Sequence, residues 1–223
     1  MSEKDDVWSA LPPEDSEDLL QLGITARFPS GDVILRQGEP STHAVVLREG
    51  VAKVVAQTED GTEVALGLRM SPNIVGEMAA MDGKPRSASV IALSDVTAGI
   101  VTSEQFNAFL TERPETLRAL MGIVMTRLRE SDHARQELVT QTVMQRVAAR
   151  LIDLAGHLGV KDEQVGTVRV RVDSQQELAS WAGASREGVV RALRMLRQQG
   201  VATTERRYIV IHDMDALKAL ADD

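Results

Sequence analysis

The feature that most constrains this chain is a change of pattern at Pro114. From Ile24 to Thr102 the sequence is a series of short β-prone runs: "ITARF", "DVILR", "HAVVLRE", "VAKVVAQ", "EVALGL", "ASVIAL" and "VTAGIVT". Turns fall between them at Gly31, Gly38, Glu49-Gly50 and Asp60-Gly61, where glycine accepts positive φ without steric cost. Many short strands at this spacing predict an antiparallel sandwich or barrel, a jelly roll being one option. After Pro114 the apolar residues recur at helical spacing through about His157. Strands segregated from helices along one chain predict an α+β protein.

The chain has 223 residues, enough for two domains with real cores. No segment approaches the roughly 18–20 uninterrupted apolar residues of a membrane helix. The opening "MSEKDDVWSALPPEDSEDLL" is acidic and does not read as a signal peptide. With no cysteine, disulfides, iron–sulfur clusters and thiolate chemistry are excluded. A cytoplasmic protein without a membrane partner is the simplest reading. The four histidines, His43, His133, His157 and His212, show no pairing spacing, so neither haem nor another metal is expected. No nucleophile–base arrangement, metal-ligand cluster or P-loop is found, and an enzyme is not expected.

The net charge of −8 argues against a chain that coats nucleic acid along its whole surface. Screening over about 10 Å leaves room for a local basic patch. Between Arg186 and Arg207 lie six arginines (186, 191, 194, 197, 206 and 207) and only two acids, Glu187 and Glu205.

Within the helical region Leu117, Met121, Val124, Leu128, Ser131, Arg135, Leu138 and Thr142 alternate spacings of four and three. That is a coiled-coil seam, whose usual meaning is a parallel helix from a second copy. A long helix lying on its own β domain is the alternative. Ser131 and Arg135 are polar seam positions, which set register or touch a ligand. "TVMQ" reads as a capping box from Thr142 to Gln145 and places a hinge there; an interior threonine without a capping role is the other possibility.

Further on, "VRVRV" (168–172) alternates like an edge strand. In "DSQQELASWAGASREGVVRALRMLRQQG", Asp173 or Ser174 can cap a first helix, Gly183 makes the turn and Ser185 caps a second. This is a helix-turn-helix, and "VATTE" with "RYIVIH" suggests the hairpin of a winged helix. On the second helix Val189, Leu193 and Leu196 form the buried stripe, while Arg186, Glu187, Val190, Arg191 and Arg194 share another face. A charged face can be merely solvated. In this setting arginine can instead read guanine bidentately and glutamate can accept from cytosine.

One stretch fits neither the strand nor the helix pattern. "GEMAAMDGKPRSASV" (76–90) sets Glu77 and Arg86 among apolar residues, beside a Gly-Lys-Pro turn. It is either a loop with a solvated ion pair or a pocket for something small and charged.

Together these segments resemble the cyclic-AMP receptor protein and fumarate–nitrate regulator superfamily of bacterial transcription factors, over nearly the whole chain. The resemblance rests on "FPSGDVILRQGEPS", the Gly-Glu…Arg-Ser-Ala cassette, the long helix and "GASREGVVRAL". It implies a β-roll cyclic-nucleotide-binding domain over 1–112, a dimerisation helix over 113–141 and a winged helix-turn-helix over 142–223. It implies a homodimer on double-stranded DNA with near-palindromic TGTGA-type half-sites, and recruitment or exclusion of RNA polymerase. Arg186, Glu187 and Arg191 match the family's base-reading side chains; Ser185 and Arg194 complete the expected DNA contacts. The cassette becomes the phosphate and ribose half of a nucleotide site. Arg86 and Ser87 meet phosphate oxygens, and amides following Gly76 at Glu77 and Met78 add donors. Glu77 accepts from the ribose 2′-hydroxyl. Ser131 and Asp132 fall at two hydroxyl-bearing positions that hold adenine in the cyclic-AMP receptor, and Asp132 departs from that pattern. Cyclic AMP is the first choice of effector, with cyclic GMP possible. The alternative is a regulator that is constitutive or answers to another effector.

Overall fold

A computed structural model describes residues 13–222. The acidic segment read as lacking a signal peptide lies largely outside them. The described chain forms two compact units that divide between Asp132 and His133.

The first unit opens with α1 (Pro13–Leu22) and then runs β1 (Ile24–Phe28), β2 (Val33–Leu35), β3 (Ala44–Glu49), β4 (Val51–Gln57), β5 (Glu63–Met70) and β6 (Asn73–Val75). The helix α2 (Glu77–Asp82) precedes β7 (Ser89–Ala92) and β8 (Val96–Val101), and α3 (Ser103–Glu112) leads into α4 (Pro114–Thr140). Two four-stranded antiparallel sheets form, ordered β1-β8-β3-β6 and β2-β7-β4-β5. Both faces of β3 are buried, and its period of two explains how. Val45 and Leu47 meet Leu35, Ala52 and Val90 of the second sheet. Ala44 and Val46 join Leu19, Phe106, Leu110, Leu120 and Ile123 from the helices. The roll is thus a sandwich with α1, α3 and α4 closing one outer face.

The helix α4 uses two faces within this unit. Thr116, Leu120 and Ile123 are buried, whereas Met121, Met125 and Leu128 are 49%, 50% and 61% exposed. The sequence-derived seam includes Met121 and Leu128; the inner face is a second series, offset from it. Asp15 of α1 is tied to the start of α4 by Thr116 Oγ1 and Arg113 Nη1, both at 2.5 Å.

In the second unit α4 ends at Thr140, and α5 (Val143–Leu158) begins with both bonds of the expected capping box. Gln145 N–H donates to Thr142 Oγ1 at 3.3 Å, and Thr142 N–H donates to Gln145 Oε1 at 2.7 Å. There follow β9 (Val160–Asp162), β10 (Thr167–Arg171), α6 (Gln175–Ala182), α7 (Arg186–Gln198), β11 (Ala202–Glu205), β12 (Tyr208–Ile211) and α8 (Met214–Asp222). The sheet order is β11-β12-β10-β9. The "VRVRV" strand is therefore interior and not an edge: Val168 and Arg169 pair with Lys161 and Val160 on one side and with Ile211 and Val210 on the other. Its alternation reflects one buried face, with Val170 fully buried, and says nothing about how many neighbours it has. Leu151, Leu178, Val189, Leu196, Ile211 and Leu217 supply the core from the surrounding elements.

Candidate effector site and nucleic-acid interface

Arg86 follows the α2 turn and is only 4% exposed. Every nitrogen of its guanidinium donates to the protein. Nε reaches Ser41 Oγ at 2.9 Å, Nη1 the Gly76 carbonyl at 2.9 Å and Nη2 the His43 carbonyl at 2.6 Å. The backbone is latched as well: Arg86 N–H donates to Glu39 O at 3.0 Å, and Gly38 N–H donates to Arg86 O at 2.9 Å. Residues 38–43, between β2 and β3, thus form a strap around this one arginine. Burial lowers the Arg86 pKa from its ordinary value, opposed by the nearby Glu77 and Glu39 carboxylates.

Gly76 makes that placement possible. It sits at φ 75, and a Cβ there would press into Arg86 Nη1 and lie 2.9 Å from Leu35 Cδ1. Only glycine tolerates both the left-handed backbone and the guanidinium pressed against it.

Glu77 is buried at 4% exposure. Its partner is not Arg86 but Arg127 of α4, whose Nη1 donates to Glu77 Oε1 at 2.6 Å. Arg127 Nη2 donates to Asn73 Oδ1 at 2.9 Å and to the Ile74 carbonyl at 2.8 Å. The reading of 76–90 as a loop ion pair is therefore overturned: both charges are internal, and they answer to different partners. Close by, Arg69 is buried on β5, and burial together with the Arg127 charge pushes its pKa down to about 10. Gly67 leaves room for it, since a Cβ there would lie 2.9 Å from Arg69 Nη1.

Met78 and Ser87 are exposed beside this buried cluster, and Ser131 and Asp132 are exposed on α4. Ser131 lies four residues beyond Arg127, about 6 Å further along the helix. No sequence pattern assigns Arg127, Ser41, Asn73 or the His43 carbonyl to this cluster. Arg127 had a legible signal, because residues 116, 120, 123 and 127 repeat the four-three-four spacing of a second helix face. The other three sit in short connections or at a strand end, with no periodicity to mark them.

In the second unit Ser174 Oγ accepts from Glu177 N–H at 3.0 Å and starts α6, and Gly183 ends it in the left-handed conformation. Ser185 Oγ accepts from Gly188 N–H at 3.1 Å and starts α7. Ser185 thus caps the helix while itself exposed. Arg186, Glu187, Arg191 and Arg194 are exposed on one side of α7, with Val190 among them, and Val189, Ala192, Leu193 and Leu196 are buried on the other. Arg146 of α5 holds the turn: Nε donates to Ala182 O at 2.9 Å, Nη2 to Gly183 O at 3.3 Å and Nη1 to Gln141 O at 2.6 Å. One buried side chain thereby satisfies the carbonyl ends of α4 and α6. At the wing, Arg207 adopts a positive φ of 62 in the β11–β12 turn, and Arg169 stacks 4.7 Å from the Tyr208 ring centre.

Among the described residues no group of three or more His, Cys, Asp or Glu could hold a metal ion. No helix there is long and apolar enough to cross a membrane.

Residues 25–113 match the cyclic nucleotide-binding domain family, and residues 145–220 match the Crp-like helix-turn-helix domain family. The chain is 29% identical over 191 residues to the CRP-like cAMP-activated global transcriptional regulator of Mycobacterium tuberculosis, covering 85% of this chain and 84% of that protein. A CRP/FNR family transcriptional regulator from Thermus thermophilus superposes with a TM-score of 0.77 at 28% identity, covering 90% of this chain and 99% of the other. The c-di-GMP responsive global regulator CLP of Xanthomonas campestris shares the fold, with a TM-score of 0.78 at 24% identity over 89% of this chain and 98% of its own. Two family matches in this order, on a β-roll and a helix-turn-helix, identify the chain as a member of the cyclic-AMP receptor protein and fumarate–nitrate regulator superfamily, a DNA-binding transcription regulator with a cyclic-nucleotide-binding domain.

Proposed function

We propose that this regulator is a homodimer controlled by a purine cyclic nucleotide, cyclic AMP foremost, and that it reads a palindromic TGTGA-type site. The observation that carries the reading is the buried Arg86, a guanidinium held, among the described residues, by neutral acceptors and not by a carboxylate in direct contact. A guanidinium has five N–H donors, and three of Arg86's bond to the protein. The remaining two, one on each terminal nitrogen, suit a singly charged phosphodiester. Ser87 and the Gly76–Glu77–Met78 backbone flank it, and Glu77 has acceptor capacity beyond its bond to Arg127 for a ribose hydroxyl. Ser131 and Asp132 face the base, with the exposed Met121–Met125–Leu128 stripe as the surface that meets a second copy. In this division residues 1–112 sense, 113–141 dimerise and 142–223 bind DNA.

On DNA, Arg186 and Arg191 meet guanine edges, Glu187 accepts from cytosine, and Ser185 and Arg194 contact phosphates. Nucleotide binding shifts the dimer between two arrangements through the Thr142 hinge, and RNA polymerase is the downstream partner. Fluorescence anisotropy of a duplex with two inverted TGTGA half-sites tests this, with cyclic AMP tightening binding to the duplex. Affinity unchanged by cyclic AMP and cyclic GMP favours the second reading, in which Asp132 signals another effector or constitutive binding.

A further inference from the structure

We propose that Ser41 is a positioning residue for anion recognition: its hydroxyl fixes the rotation of the Arg86 guanidinium so that the two spare N–H groups aim at one of the two exocyclic phosphate oxygens. The inference rests on the cyclic-nucleotide reading above. Three of the four strap bonds to Arg86 involve backbone atoms of residues 38, 39 and 43 on the strap side. The fourth, Arg86 Nε to Ser41 Oγ at 2.9 Å, is a side-chain hydrogen bond from the strap to the guanidinium. Backbone bonds fix where the chain lies, and the Gly76 and His43 carbonyls each take one terminal nitrogen. With only two point contacts at the ends of the planar fork, tilt about the line joining them is limited only by the flexible aliphatic stem. The bond from Nε to Ser41 Oγ adds a direct restraint on that tilt. Ser41 is only partly buried, so this restraint stands at the edge of the cluster, where an entering anion would otherwise displace the guanidinium. The hydroxyl accepts from Nε and keeps its own proton to donate, so it adds no negative charge to compete with the ligand.

Calorimetric titration of the full-length protein with cyclic AMP and with its Sp and Rp phosphorothioate isomers tests the proposal. The two isomers exchange sulfur between the two exocyclic phosphate positions, so their affinity ratio reports which oxygen the guanidinium meets. Ser41→Ala is expected to bind cyclic AMP about 10-fold more weakly, about 1.4 kcal/mol, and to move the isomer ratio toward one. Ser41→Thr, which keeps the hydroxyl, should restore both and melt as the wild type, whereas Ser41→Ala, which leaves the buried Arg86 Nε–H without its acceptor, should also melt lower. An unchanged affinity, an unchanged isomer ratio, or a wild type that does not distinguish the isomers overturns the role of Ser41 and leaves the cyclic-nucleotide reading standing. A wild type that binds no cyclic nucleotide overturns both. Ser41→Cys, close in shape but a weak hydrogen-bonding partner, should behave as Ser41→Ala and provides the same reading if alanine perturbs the strap.

Discussion

Under the proposed function, the buried arginines of the roll and the exposed arginines of α7 are two ways of preparing a cation for an anionic partner. Arg86 and Arg127 are immobilised by backbone carbonyls and neutral side chains, with one buried carboxylate between them. Their desolvation is already met when the protein folds, so a ligand on Arg86, as proposed, would gain from donors that need no reorganisation. Arg186, Arg191 and Arg194 stand in water on the outer face of α7. As the proposed DNA contacts they would lose rotamer freedom on binding, with much of their attraction screened by salt. The first arrangement suits one small ligand in one pose; the second suits a long polyanion searched by sliding. Substitutions in the two regions should therefore fail differently, the first through stability and ligand affinity together, the second through DNA affinity alone.

The largest effect is expected at Arg127. Arg127→Ala leaves Glu77 buried without its guanidinium, and breaking such a pair costs about 3–5 kcal/mol. Thermal melting should show a large loss, partly recovered by the double change Arg127→Ala with Glu77→Gln, which removes the stranded charge. If Arg127→Ala melts like the wild type, the pair is not the internal anchor described here. Gly76→Ala comes next, at about 1–3 kcal/mol from the left-handed backbone alone, with the Cβ also displacing the Arg86 guanidinium. Ligand affinity should fall further than stability, and equal losses of both would mean that Arg86 is not aimed by Gly76.

On α7, Arg186→Ala and Arg191→Ala should each cost about 1–3 kcal/mol in specific DNA binding and leave the melting temperature alone. Each should relax selection at one base pair in a binding-site selection experiment. A uniform loss over all sequences would mark them as phosphate contacts and break the contrast between reading and anchoring.

The smallest effect concerns pH. Burial, and then the Arg86 charge, hold the His43 pKa below its ordinary 6.5, with Glu39 opposing. Between that depressed value and 6.5 the unfolded chain binds more protons, so stability falls as pH drops through this window. An anion on Arg86 weakens the repulsion and raises the His43 pKa. Binding should therefore take up a fraction of a proton near the depressed value, and nucleotide affinity should rise slightly as pH falls. Titrations in buffers of different ionisation enthalpy measure this, and His43→Gln should abolish it.

Much of this architecture is legible because it rests on periodicity. The strands of the roll, the capping box at Thr142 and the stripe of Val189, Leu193 and Leu196 follow from spacings that local chemistry imposes. The short strand β6 and the helices α1, α3 and α8 carry weaker signals, and the pattern does not mark them. The site is legible as residue types but not as partners. Glu77 and Arg86, nine apart in sequence, invite pairing, yet Glu77 bonds a residue fifty positions away. Arg86 bonds carbonyls that no side-chain pattern encodes. Backbone acceptors are common to every residue, so sequence cannot mark which of them a buried guanidinium will find.

The most direct test of the account is calorimetric titration of the purified wild type and Arg86→Ala with cyclic AMP and cyclic GMP. Saturable binding of at least one nucleotide to the wild type is expected, with cyclic AMP the tighter, and its loss in Arg86→Ala. No binding of either nucleotide at up to millimolar concentration, or equal binding by Arg86→Ala, would contradict it.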